Sequence, residues 1–354
     1  MKAPLVLGLG LLAGAVAVAA QSTPSLDAVR SACRAELERH CNTDSATSDL
    51  RAAGRCLREN RRSLSRDCRS ALQDLREARA SGGGSPADRA VRQSAATTAE
   101  GRIVAYGDDP KQKLRYFPAA GGGAVLVVFV HGGGWAKGDM DTANGMKSAT
   151  FNAAGFSFAT VNYRLYPAAG VEQQAADVAS AVAAALAASE RDGHVPKTVV
   201  LMGHSAGAHL AALVALDDRY LAAAGVPSDR ITGVSLLDGA GYDVPGQIAS
   251  GGNAQLYRTI FGEDPKAWAR LSPLTYAQGA SDGPTFLIHH VASREASRRQ
   301  SQGLADAITR AGGSAKVVAA EGKTHASINQ EFGKSGDVVT GEVLAFVAGL
   351  AGQN

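Results

Sequence analysis

Apolar residues follow two rhythms along this chain. From Val125 onward, short and nearly unbroken runs rich in β-branched residues recur at 125–130, 156–162, 198–202, 231–237, 285–291 and 315–320. Stretches in which apolar residues return every three or four positions lie between most of them, at 171–190, 205–217, 297–311 and 336–350. Continuously apolar strands alternating with amphipathic helices predict an α/β domain whose mostly parallel sheet is covered by helices on both faces. Residues 102–117 predict an antiparallel edge hairpin. Sheets of this kind carry their chemistry at the carboxyl ends of the strands, so any motif should sit just after a strand.

The N-terminal third has a different pattern. Lys2 is followed by an uncharged apolar run, 3–20, which closes on Ala17-Val18-Ala19-Ala20 before Gln21. Small residues after a short apolar run predict a cleaved signal peptide. The run is rich in Ala and Gly and short for a membrane span, so no stable span is expected and the mature chain is expected to be secreted or periplasmic. Residues 21–80 show helical spacing at Leu26, Val29 and Cys33 and again at Leu64, Cys68, Leu72 and Leu75. Residues 81–98 are rich in Gly, Ser, Ala and Thr and predict a flexible linker. The expected organisation is a signal peptide (1–20), a small helical domain (21–80), a linker (81–98) and a large α/β domain (99–354).

Composition narrows this picture. A chain of 354 residues with 45% hydrophobic and 19% charged residues is globular in character, and its 41 glycines follow no collagen period. A net charge of +3 gives no footprint for nucleic acid. Aromatic residues make up 5% of the chain, too few for a stacking groove. All four cysteines, Cys33, Cys41, Cys56 and Cys68, fall in the small domain. An exported chain makes them disulfide candidates. Zinc would favour C-x2-C pairs, which are absent, so no metal is expected. Four cysteines allow three pairings. The nested one, Cys33–Cys68 with Cys41–Cys56, fits a helical hairpin without being fixed by the sequence. Between 22 and 80 there are twelve Arg, no Lys and nine acids, a surface of mixed charge. The cysteine spacing around CLRENRRSLSRDC (56–68) resembles the cysteine-rich repeat of a Golgi-resident glycoprotein family, which implies docking to a protein partner. A stapled spacer is the equal alternative.

Three motifs in the large domain carry chemistry. Gly203-His204-Ser205-Ala206-Gly207 follows one strand run and precedes a helix. This G-x-S-x-G context suits a nucleophile elbow that presents Ser205. His131-Gly132-Gly133-Gly134-Trp135 follows another strand, and its glycines let backbone N–H groups approach a substrate carbonyl. Gly133, Gly134 and the Ala206 N–H are the candidate oxyanion donors. Without a G-K-[ST] ending, the loop is a poor phosphate cradle. His325, in Thr324-His325-Ala326-Ser327, lies after the last strand and is the candidate general base. Of the other histidines, His131 reads as a loop organiser, His204 as pointing away from Ser205, and His209 as a packed helix residue. His289 and His290 read as structural, and His194 lies in a loop.

HGGGW, GHSAG, VNYRLYP (161–167), FGEDPKAWARLSP (261–273) and GKTHASINQEFG (322–333), in this order, resemble an α/β-hydrolase of the carboxylesterase type, near its hormone-sensitive-lipase-like and short-chain esterase branches. The resemblance implies hydrolysis of a small-molecule ester through an acyl-enzyme on Ser205, with no cofactor. One position departs from the pattern. The acid that orients the histidine is expected after the strand 285–291, where this sequence has Ser293. Asp238, Glu295 and Asp243 are the carboxylates in reach, and an absent acid is a further alternative. An intact nucleophile and oxyanion motif favour an enzyme over an inactive binding protein. HGGxW also occurs in arylformamidases, which keeps an amide substrate open. The segment 244–280 is expected to form a lid, and its Tyr257, Ile260, Phe261, Trp268 and Leu271 either wall a pocket or join the core.

Overall fold

The computed structural model describes residues 29, 31–40, 57, 60, 63–80, 100–120, 123–251 and 253–352. The chain divides into two compact units, residues 1–89 and 90–354. The apolar run 3–20, Cys41, Cys56 and the predicted linker lie outside the described residues.

In the first unit, helices α1 (Arg34–His40) and α2 (Arg66–Ala80) are joined by a disulfide between Cys33 and Cys68. This is one of the two bonds of the nested pairing. Both cysteines are fully buried in a small cluster with Val29, Leu57 and Leu64. The Ser65 N–H, at the entrance to α2, donates to Glu36 Oε1 at 2.9 Å. So small a core leaves much of the stability to the disulfide, about 2–4 kcal/mol for a loop of this kind.

The second unit is built on an eight-stranded sheet. Its strands are β1 (Arg102–Ala105), β2 (Lys113–Phe117), β3 (Val125–Val130), β4 (Ser157–Val161), β5 (Thr198–His204), β6 (Ile231–Leu237), β7 (Thr285–Val291) and β8 (Ala315–Ala320). The order across the sheet is β1-β2-β4-β3-β5-β6-β7-β8. The β1–β2 hairpin is antiparallel and joins β4 antiparallel, while all other neighbours are parallel.

Alternate residues of the central strands feed two cores. Val128 and Val130 point into the larger one, with residues of α3 (Val171–Arg191), α4 (Ala206–Leu216) and α5 (Glu295–Arg310). Val127 and Phe129 point into the other, under α6 (Val338–Ala351) with Phe151 and Phe332. With both faces buried, the strands can be apolar throughout, which is why they read as runs rather than as alternation.

Among the described residues, the segment 244–280 forms four short α-helices and the start of a 3-10 helix (Ala277–Asp282), packed down on the larger core. Tyr257, Ile260, Phe261, Trp268 and Leu271 are all buried there, so core packing describes them better than an open pocket wall. Trp135, from the glycine-rich loop, is ringed by His209 at 5.4 Å, Tyr257 at 5.5 Å and Phe261 at 5.0 Å between ring centroids.

Candidate active site

The candidate site lies at the carboxyl edge of the sheet. β5 runs directly into Ser205, which has φ 55° and ψ −120° before α4 begins. A non-glycine residue in this left-handed region is held there by its surroundings. The flanking glycines are what make the turn possible. A Cβ at Gly203 would come 2.2 Å from the Gly207 carbonyl oxygen, and one at Gly207 would come 2.1 Å from that of Val130. The Ser205 N–H is tied to the Leu237 carbonyl at 3.0 Å, fixing the elbow to the end of β6.

His325 lies between Ser205 and Asp238. Its Nε2 is 3.0 Å from Ser205 Oγ and its Nδ1 is 2.6 Å from Asp238 Oδ2. Asp238 follows β6 directly, has φ 45°, is 1% exposed, and accepts the Val291 N–H on Oδ1 at 2.9 Å. Burial works against its charge. The hydrogen bonds from His325 and Ser297, the Val291 N–H and the Arg294 charge outweigh that and hold the carboxyl well below the usual carboxylate range.

The other candidate acids are engaged elsewhere. Glu295 pairs with Arg298 at 2.7 Å and Arg299 at 3.3 Å, and Asp243 caps the helix Val244–Ala249 through Gly246. Ser293 is exposed.

Three other histidines, His204, His209 and His131, hold the frame. His204 Nε2 lies 2.8 Å from the His325 carbonyl, and a proton there fastens the His325 backbone to β5. His209 donates from Nε2 to the Leu271 carbonyl at 2.8 Å and accepts the Trp135 indole N–H on Nδ1 at 3.3 Å. His131 stacks on Tyr163 at 4.4 Å, its Nδ1 2.7 Å from the Gly132 carbonyl. The VNYRLYP motif braces the same loop, since the Tyr163 hydroxyl donates to the His131 carbonyl at 3.0 Å and the Tyr166 N–H to that of Trp135 at 2.9 Å.

Burial is the main cause that lowers both His204 and His209 to about 4, and the nearby His325 adds to it at His204. Both stay neutral in the fold and take up a proton in the unfolded chain below the ordinary histidine value of 6.5. The stability they contribute is therefore complete above 6.5 and lost as pH falls from there toward 4, up to roughly 3 kcal/mol for each. Urea unfolding at about pH 7.5 and about pH 4.5 is expected to show this loss, and His209→Gln to reduce it. Equal losses in wild type and variant would contradict the assignment.

Two contributors were not singled out from the sequence. Lys147 is buried, lies 4.7 Å over the Phe129 ring, and donates to the Ala143 carbonyl at 3.0 Å and the Asn329 carbonyl at 2.9 Å. It thereby anchors the turn after His325, and burial lowers it to about 7. Its Ala143 partner lies one helical turn back, but Asn329 is distant in the chain, so no local pattern marks the site. Arg294 touches Asp238 Oδ2, and its Nη1 lies 2.6 Å from His325 Nδ1. Its signal was its place next to Ser293. Among the described residues, no cluster of three or more His, Cys, Asp or Glu could hold a metal ion, and no helix is long and apolar enough to cross a membrane.

Comparison with known proteins agrees with this architecture. The sequence profile of the family BD-FAE matches residues 116–224. A probable isoprenylcysteine alpha-carbonyl methylesterase of Arabidopsis thaliana is 27% identical over 245 residues, 64% of this chain and 51% of that protein. The chain thus spans about half the length of that relative. A kynurenine formamidase of Meyerozyma guilliermondii is 30% identical over 115 residues, 31% of this chain and 40% of its own. Among solved structures, esterase B of Lactobacillus rhamnosis superposes with a TM-score of 0.59 at 20% identity, covering 75% of this chain and 94% of that one. The chain has the α/β-hydrolase fold and is related to the esterases of that superfamily.

Proposed function

We propose that this protein is a serine hydrolase that cleaves small carboxylic esters through an acyl-enzyme on Ser205. The observation that carries the reading is His325, with one ring nitrogen in reach of Ser205 Oγ and the other in reach of the Asp238 carboxylate. With its proton on Nδ1, the ring donates to Asp238 and accepts the Ser205 proton on Nε2. Ser205 Oγ then attacks the ester carbonyl, and the imidazolium, stabilised by Asp238, returns the proton to the leaving alcohol. Water repeats the sequence to release the acid. The developing oxyanion is held by the N–H groups of Gly133, Gly134 and Ala206. Supporting this, Gly133 and Gly134 have φ of 124° and 60°, and their N–H groups make no hydrogen bond among the described residues. Ala206 opens a helix, and its N–H has no intrahelical acceptor.

The motifs HGGGW and GHSAG support the hormone-sensitive-lipase-like and short-chain branches of the esterases. The run 3–20 and the Cys33–Cys68 disulfide support export. The cysteine-bearing unit is either a stapled spacer or a docking module. The alternative substrate is a formamide, favoured by the HGGGW loop and by the local likeness to a kynurenine formamidase. Parallel assays on p-nitrophenyl acetate and N-formylaniline separate the two readings. The ester is expected to turn over at least about 100-fold faster relative to its spontaneous rate. The reverse order would replace the esterase reading by the formamidase one.

A further inference from the structure

Arg294 is placed where a simple triad has no use for it. Its Nη1 touches Asp238 Oδ2 and also lies 2.6 Å from His325 Nδ1. These contacts are in competition, because Nδ1 has a single in-plane site. When that site carries the proton, Nδ1 donates to Asp238 and Nε2 is free to accept from Ser205. When it is a lone pair accepting from Arg294, the proton sits on Nε2 and the ring cannot serve as base. A guanidinium at this distance favours the second, idle arrangement.

The Arg294 charge also lacks a carboxylate of its own. Among the described residues it pairs only with Asp238, which it shares with His325, while the adjacent Glu295 is held by Arg298 and Arg299. The side chain remains 36% exposed, beside a His325 side chain that is 41% exposed. Its Nε and Nη2 donors make no hydrogen bond among the described residues. Tyr257 lies within the field of the Arg294 charge, and its hydroxyl makes no hydrogen bond among the described residues either. The Tyr257 ring packs on Trp135 at 5.5 Å, at the end of the glycine-rich loop. The Arg294 fork thus keeps unspent donors beside the base.

We propose that the site acts on esters bearing a carboxylate within a few bonds of the ester group, and that Arg294 is the residue that binds this anion. A substrate carboxylate offers the fork a partner and draws it from Nδ1. The Nδ1–H to Asp238 bond is then uncontested, and the base is set by the substrate itself. A neutral ester leaves Arg294 where it is and meets a base in the idle tautomer more often. This inference rests on the serine-hydrolase reading and adds a substrate class to it.

The test compares kcat/KM on two matched pairs: monoethyl succinate against ethyl butyrate, with the carboxylate on the acyl side, and acetoxyacetate against propyl acetate, with it on the alcohol side. Wild type is expected to prefer the anionic ester by at least about 10-fold in one pair, the size of a charge-assisted fork contact. That pair also identifies the side. Arg294→Met is expected to bring the ratio within about 2-fold, losing on the anionic ester through KM and gaining kcat on the neutral one. Arg294→Lys is expected to retain part of the preference. No preference in either pair, or one that survives Arg294→Met, would overturn the inference.

A second readout needs no variant at Arg294. Succinamate is expected to inhibit wild-type turnover of ethyl butyrate at least about 10-fold more strongly than butyramide does, and equal inhibition would overturn the inference as well. Ser205→Ala separates the two claims. If it keeps the wild-type rate, the serine-hydrolase reading falls. If turnover depends on Ser205 but the ratios do not depend on Arg294, only the anion site falls.

Discussion

Asp238→Asn is expected to lower kcat on p-nitrophenyl acetate by about 10⁴-fold, while Glu295→Gln and Asp243→Asn each stay within about 3-fold of wild type. The large effect follows from where the carboxylate sits. Asp238 is buried, accepts the Val291 N–H on one oxygen and faces His325 Nδ1 at 2.6 Å with the other. An amide there keeps the shape but loses the charge that stabilises the imidazolium, and its N–H₂ can turn toward Nδ1 and favour the idle tautomer. The small effects follow from the same geometry. Glu295 serves surface arginines, and Asp243 caps a helix, a task that Asn performs as well. A loss at Glu295 comparable to that at Asp238 would move the acid to the β7 loop and undo this assignment.

His325→Ala is expected to cost on the order of 10⁶-fold in kcat, and Ser205→Ala about the same. The double variant should be no slower than either single one. The reason is that Ser205 and His325 perform one step together: without the base the hydroxyl stays protonated, and without the hydroxyl the base has nothing to activate. What remains, roughly 10³–10⁴-fold over water, comes from substrate binding and the Gly133, Gly134 and Ala206 donors. Costs that add in the double variant would show that the two residues act separately. Parallel thermal unfolding checks that the variants fold, since His325 is half-exposed and its backbone carbonyl, which partners His204, is kept in the alanine variant.

Much of the fold was legible because it is local. Runs such as VLVVFV and ITGVSLL coincide with β3 and β6 because strands buried on both faces need apolar residues at every position. The elbow was legible for the same reason, since Gly203, Ser205 and Gly207 meet one another within a single turn. The partner of His325 was not. Choosing among Asp238, Glu295 and Asp243 depends on which strand end comes within reach of a loop about ninety residues later, a fact of sheet order that no local pattern records. Ser293 showed that the usual place was unfilled without showing what filled it. Tyr257, Phe261 and Trp268 were ambiguous because a pocket wall and a core use the same aromatic residues; the ring contacts around Trp135 favour the core. Lys147 carries no sequence signal, since its buried site is closed by Asn329, which is distant in the chain.

The central claim is that Ser205, set up by His325 and Asp238, attacks esters. Hydrolysis of p-nitrophenyl acetate by the wild-type chain and by Ser205→Ala, measured side by side, tests it most directly. The account predicts saturable wild-type turnover at least about 10⁵-fold above that of the variant. Equal rates, both near the spontaneous background, would contradict it.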